Sequence, residues 1–97
     1  MMPINTEPYD TADYLKDNDD VIAYLTEAVE TYDPHIIAKS IGTVARARGG
    51  MTQLARDTGI SREALYRALS EDGNPEFATI LKVLRALGVR ISLSIAA

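Results

Sequence analysis

The pattern that decides the fold lies in residues 51–70, which read MTQLARDTGISREALYRALS. Apolar residues recur at helical spacing on both sides of Gly59, and glycine accepts the positive φ that a tight turn requires. Ala55 is small enough to let two helices cross closely. The inner faces of these helices are expected to be formed by Leu54, Ile60, Leu65 and Leu69. The stretch therefore predicts a helix-turn-helix at residues 52–70.

Helical periodicity continues before this motif. The predicted helix starts are Thr11, Asn18 and Asp33, because each places a capping side chain before a helical run. Pro34 then suits the first position of the third helix. In the second helix, the apolar stripe expected to be buried consists of Val21, Ile22, Leu25, Ala28, Val29 and Tyr32.

A further helix is predicted after the motif, from Phe77 to Leu87, and Gly88 ends it. Its inner side is expected to consist of Phe77, Ile80, Leu81, Leu84 and Leu87. The chain is thus predicted to be an all-α bundle of five to six helices, followed by a short C-terminal β-strand.

That strand is predicted because VRISLSI, residues 89–95, alternates apolar and polar residues. One strand leaves its backbone groups unpaired, and antiparallel pairing with the same strand of a second copy would satisfy them. A homodimer is therefore expected, with an interface at Val89, Ile91, Leu93 and Ile95. The alternatives are a flexible tail and a strand that packs across its own helices.

The chain divides by composition into three parts. Its 97 residues suit one domain. Residues 1–10, with two prolines among polar residues, are predicted to be a flexible N-terminus. Residues 11–88 form the predicted helical domain, and residues 89–97 the strand or tail.

Charge is distributed unevenly along the chain. Residues 1–33 carry nine acids and one lysine, a charge of −8, whereas residues 34–97 carry nine bases and five acids, a charge of +4. An acidic segment joined to a basic body suggests two different partners. The alternative is that these charges only solvate exposed faces.

Several classes of function find no support in the sequence. Cysteine is absent, which removes disulfides, thiolate metal sites and thiol nucleophiles. His35 is the only histidine, and no nucleophile or metal-ligand pattern accompanies it. No apolar run approaches the length of a membrane span. We therefore expect a soluble cytoplasmic protein that is not an enzyme and takes no metal, cofactor or small-molecule substrate.

The second helix of the motif carries residue types that suit DNA recognition. Its outward residues are Ser61, Arg62, Glu63, Tyr66 and Arg67. Arginine grips guanine with two hydrogen bonds, glutamate accepts from cytosine, and hydroxyl groups hold phosphates. Thr52 and Gln53 open the preceding helix, whose first N–H groups favour a phosphate. The alternative is an ordinary solvated face with a Glu63–Arg67 pair.

Residues 9–94 resemble the HigA-like addiction-module antidote family, Cro-type helix-turn-helix proteins related in arrangement to phage repressors. The most specific segments are VARARGGMTQLARDTGISREALYRALS and GNPEFATILKVLRALGV. This resemblance implies an antitoxin that binds a small RelE/HigB-like toxin, often an mRNA-cleaving ribonuclease, and represses its own operon. The family's recognition helix falls on residues 61–70. The implied base contacts are Ser61, Arg62, Glu63 and Arg67, with Tyr66 and Thr52 near phosphates.

A toxin that handles RNA should be basic, so the acidic residues 1–33 are its expected binding region. The residues expected to contact the toxin are Tyr9, Asp13, Tyr14 and Leu15. Operator DNA and toxin are thus the two expected partners. The alternatives are a toxin-binding module without operator-specific DNA binding and a plain phage-repressor-like regulator.

Overall fold

The computed structural model describes residues 11–96, and all regular structure in this range is helical. A 3-10 helix, Thr11–Tyr14, precedes five α-helices. These are α1 (Asn18–Glu30), α2 (Pro34–Ala47), α3 (Gly50–Thr58), α4 (Arg62–Ala68) and α5 (Phe77–Ala86). The helical class and the helix number agree with the prediction. Within this range, no helix is long and apolar enough to cross a bilayer.

Local capping chemistry determines where α1 and α2 begin. The predicted cap of α1 was wrong by one residue: Asp17 is the N-cap, and its Oδ1 accepts a hydrogen bond of 2.9 Å from the Asp20 N–H. Asp20 Oδ2 in turn accepts from the Lys16 N–H, also at 2.9 Å, which favours this register over one capped by Asn18. Asp33 caps α2 as predicted, accepting from the N–H groups of the next turn.

Helix α2 lies at the centre of the fold. It packs against α1, the 3-10 helix and α3, and α3 also contacts α4 and α5. The largest side chains with almost no exposure are Ile41, Val44, Leu65 and Val83. One hydrophobic cluster thus includes residues from all five helices.

The predicted buried stripe of α1 was too wide. Val21, Leu25 and Ala28 are buried, but Ile22 and Val29 are half-exposed and Tyr32 is exposed. Helix α1 has its main helix contact with α2 alone, so one narrow side is covered. Tyr32 lies beyond the last residue of α1.

The inner side of α5 was predicted correctly only in part. Leu84 and Leu87 are buried as expected, but Phe77 is 69% exposed and Leu81 is 44% exposed. Val83, absent from the predicted set, is completely buried. The face of α5 that packs against α3 is therefore rotated relative to the face that carries most of its apolar residues.

The C-terminal segment has no regular structure in residues 89–96. The Val89 N–H donates to the Leu84 carbonyl at 2.9 Å, and beyond Val89 no backbone hydrogen bond forms with any described part of the chain. A β-strand needs a paired backbone, which residues 11–96 of one copy do not supply to this segment. The strand and the homodimer therefore stay predictions, and the flexible N-terminus predicted at residues 1–10 lies outside the described residues.

Candidate nucleic-acid interface

The turn between α3 and α4 is built by local hydrogen bonds. Gly59 has a φ of 77°, and its N–H donates to the Ala55 carbonyl at 2.9 Å. Thr58 Oγ1 donates to the Leu54 carbonyl at 2.8 Å and accepts from the Ile60 N–H at 3.2 Å. A residue with a Cβ would be strained at position 59, so the glycine is required by this turn.

Helix α4 is oriented by one cap and by its buried leucines. Ser61 is the N-cap, and its Oγ accepts from the Ala64 N–H at 3.1 Å. Leu65 is completely buried and Leu69, just past the helix end, is nearly so. These two side chains turn the opposite face of α4 towards solvent.

The exposed face of α4 carries the predicted recognition residues. Those exposed are Ser61, Arg62, Glu63, Tyr66 and Arg67. The Arg62 guanidinium lies 5.6 Å from the centre of the Tyr66 ring, a cation–π contact worth about 0.5–1 kcal/mol at an exposed site. Arg62 thus lies over an aromatic face in this structure.

The Glu63–Arg67 pair of the alternative interpretation is absent. Across residues 11–96 one salt bridge occurs, between Lys39 and Glu71 at 3.8 Å. The side chains of Glu63 and Arg67 make no hydrogen bond or ion pair within that range. Both side chains are therefore available for an external partner.

The two predicted phosphate contacts at the start of α3 differ in exposure. Thr52 is exposed, whereas Gln53 is half-buried and donates from Nε2 to Asp57 Oδ1 at 2.8 Å. The N-cap is Gly49, which has no side chain to satisfy the first N–H groups of the helix. These N–H groups and Thr52 suit a phosphate better than Gln53 does.

Contacts from α2 position the far end of α4, and these contacts were not predicted from the sequence. A Cβ built at Gly42 would lie 2.7 Å from the Leu69 carbonyl oxygen, so α2 and the end of α4 approach closely. His35 Nδ1 hydrogen-bonds the Gly73 carbonyl at 2.9 Å, which anchors the loop after α4. The one available signal was a glycine inside a strongly helical pattern.

The residues predicted to bind the toxin lie before α1, far from α4 in the sequence. Asp13 is exposed and the Tyr14 ring is more than half exposed, but Leu15 packs against the core. Tyr9 lies outside the described residues. Of this set, Asp13 and Tyr14 are therefore the described residues that are exposed.

Polar groups at the beginning of α1 are largely engaged with one another. Arg48, at the end of α2, donates to Asn18 Oδ1 and joins the two helices. Asp17 and Asp20 act as caps. No cluster of three or more His, Asp or Glu side chains in residues 11–96 is arranged to hold a metal ion.

Comparison with known proteins places the whole helical region in one family. A family model described as probable addiction module antidote protein matches residues 5–95, which include all five helices. A protein of Haemophilus influenzae described as uncharacterized is 44% identical over 85 residues, which cover 88% of this chain and 87% of that protein. No solved structure matches the chain significantly.

Proposed function

This chain belongs to the family of probable addiction module antidote proteins, and we propose that it is the antitoxin of a type II toxin–antitoxin module. It binds and neutralises a small RelE/HigB-like toxin and represses its own operon as a homodimer in the cytoplasm. It acts by binding rather than by catalysis, without a cofactor. The observation that carries the DNA-binding part is the exposed face of α4, where two arginines have no ionic partner among the described residues.

Helix α4 reads base edges in the major groove. Arg62 and Arg67 each grip a guanine through O6 and N7, and Glu63 accepts from a cytosine amino group. The Ser61 hydroxyl already accepts from the Ala64 N–H, so its proton remains for a phosphate or base. Tyr66 and Thr52 hold phosphates that fix the register of the protein on the duplex.

Two copies bind one operator. Their α4 helices enter successive major grooves about 34–36 Å apart, on a site with approximate two-fold symmetry. Antiparallel pairing of residues 89–95 joins the copies, with Val89, Ile91, Leu93 and Ile95 in the interface. This pairing supplies the backbone partners that residues 11–96 of the same chain do not provide.

The toxin contacts a different part of the molecule from the DNA. Seven acids and one lysine lie in residues 11–33, and this charge steers a basic toxin towards the start of α1. Asp13 supplies charge there, and Tyr14 supplies an exposed aromatic surface that suits an interface anchor. Since α4 takes no part in this contact, the two partners use separate elements of the fold.

Fluorescence anisotropy with DNA from upstream of the protein's own gene tests the operator function. We expect selective binding over scrambled DNA that weakens as salt rises. Arg62→Ala and Arg67→Ala should each weaken specific binding by about 1–3 kcal/mol. Lys16→Ala, which removes one positive charge from the acidic segment, is the matched control and should bind as the wild type does.

A second candidate function is toxin binding without operator recognition. The net charge of −4 favours it, because sequence-independent DNA affinity needs a basic surface. This candidate predicts equal affinity for operator and scrambled DNA, together with tight binding of the toxin encoded beside the gene. Retention of that toxin by the wild type and its loss on Asp13→Lys would then identify the acidic segment as the functional surface.

A further inference from the structure

An apolar groove lies between α1, α2, α5 and the C-terminal segment, with a volume of about 770 Å³. Five of the large apolar side chains that line it are about half or more exposed in the single chain. They are Ile22, Val29, Phe77, Ile91 and Leu93. These side chains form an apolar surface that is exposed to water, and such surfaces are usually covered by a binding partner.

We propose that residues 89–96 of a second copy occupy this groove, so that each copy covers the apolar groove of the other. This inference rests on the homodimer of the proposed function and extends it. The interface then includes Ile22 and Val29 of α1 and Phe77 of α5, in addition to the paired C-terminal segments. Ile91 and Leu93 of each copy insert between these helices of its partner.

The backbone of the C-terminal segment favours a second copy over a helical partner. In residues 90–96, no N–H or carbonyl group forms a backbone hydrogen bond with the described chain, although residues 90–94 line the groove. An incoming helix uses its own backbone groups internally and leaves these unpaired. An antiparallel segment pairs with them while its alternate side chains enter the groove.

The charge of the groove also favours self-association. Its lining contains one acid, Glu30, and one base, Arg90, so the patch is neutral and electrostatically self-complementary. A two-fold interface places a patch against itself, which suits such a pairing. Most of the acidic residues expected to attract a basic toxin do not line the groove; these include Asp13, Asp17 and Asp19.

The position of the groove is compatible with DNA binding by the dimer. None of its lining residues belongs to α3 or α4. Covering the groove therefore leaves Arg62, Arg67 and the start of α3 accessible. Dimerisation and operator contact use separate faces of the same small domain.

Sedimentation equilibrium of the full-length chain tests the inference. The wild type should be a dimer, and Phe77→Glu should weaken the dimer at least about 30-fold, as expected for loss of a central anchor residue. Leu81→Glu is the matched control, because Leu81 lies on the same helix, is also exposed and does not line the groove. It should leave the dimer unchanged.

A cross-linking experiment locates the contact directly. The chain has no cysteine, so Phe77→Cys and Leu93→Cys variants can be mixed and oxidised. A disulfide-linked heterodimer of the two variants is expected, whereas a mixture of Leu81→Cys and Leu93→Cys should give none.

Three results would overturn the inference. The first is a monomeric wild type, and the second is a dimer that survives Phe77→Glu but is lost in Leu93→Glu. The third is a groove whose apolar side chains become covered only when the toxin is added. The second result would mean that the segments pair outside the groove. Operator binding is measured separately on the same samples. A cross-linked dimer with no preference for the operator would refute the proposed function and leave the groove assignment intact.

Discussion

The α3–α4 pair and the apolar groove differ in what they leave on the surface. Met51, Leu54, Leu65 and Leu69 bury the apolar side of the pair almost completely, and the face of α4 that remains is polar and charged. The groove instead leaves Phe77 and Leu93 largely in water. A polar face whose arginines have no ionic partner in residues 11–96 suits a charged, hydrated partner such as DNA, whereas an uncovered apolar face suits a protein.

The largest effect is expected from a truncation inside the α3–α4 pair. Leu65→Ala should lower the free energy of unfolding by about 2–5 kcal/mol, because it leaves a cavity at a site with no exposed surface. Urea unfolding followed by circular dichroism measures the loss. Leu81→Ala, on exposed surface outside the groove, should change stability by less than about 1 kcal/mol. Equal losses of stability in the two variants would contradict the distinction between the buried core and the exposed apolar surface.

The close approach of α2 to α4 gives the next effect. Gly42→Ala should destabilise the fold by about 1–3 kcal/mol, since its Cβ would press on the Leu69 carbonyl oxygen and displace the end of α4. Operator affinity should fall with it. Gly50→Ala, where a Cβ meets no atom within 4 Å, measures the cost of a positive φ alone. An unchanged free energy of unfolding in Gly42→Ala would mean that α4 is not positioned by α2.

The parts of the fold predicted correctly from sequence depend on short-range chemistry. Asp33 before Pro34 caps α2, and Gly59 followed by Ser61 ends one helix and caps the next. Each feature involves groups within four residues of one another, so the local sequence contains the whole interaction. The cap of α1 was misplaced because Asp17 and Asn18 are both good capping residues, and the Lys16–Asp20 hydrogen bond decides between them.

The parts predicted incorrectly depend on which helix covers which face. Periodicity identified the apolar residues of α1 and α5, but it did not show that Ile22, Val29 and Phe77 would remain exposed. The same limit applies to the candidate site. The helical periodicity of α4 predicted which of its residues face outward. The His35–Gly73 hydrogen bond, in contrast, joins residues 38 positions apart, so no local sequence pattern indicates it.

A smaller effect is expected at the start of α4. Ser61→Ala should cost about 1 kcal/mol of stability, because the Ala64 N–H loses its acceptor. Ser61→Asp keeps an acceptor at the N-cap and should retain most of the stability, while its added negative charge should weaken operator binding. Thermal unfolding and anisotropy on both variants separate capping from DNA contact. Equal affinity for the operator in Ser61→Asp and the wild type would place Ser61 away from the phosphates.

The smallest effect on stability, and the sharpest contrast with the core, is expected at Arg67. Its side chain is exposed and has no ionic partner in residues 11–96, so Arg67→Ala should change the free energy of unfolding by no more than about 0.5 kcal/mol. The same variant is expected to weaken operator binding by about 1–3 kcal/mol. Urea unfolding and anisotropy measured on one preparation compare the two quantities. A loss of stability as large as the loss of affinity would show that this face of α4 supports the fold, and its exposed arginines would then no longer indicate a nucleic-acid partner.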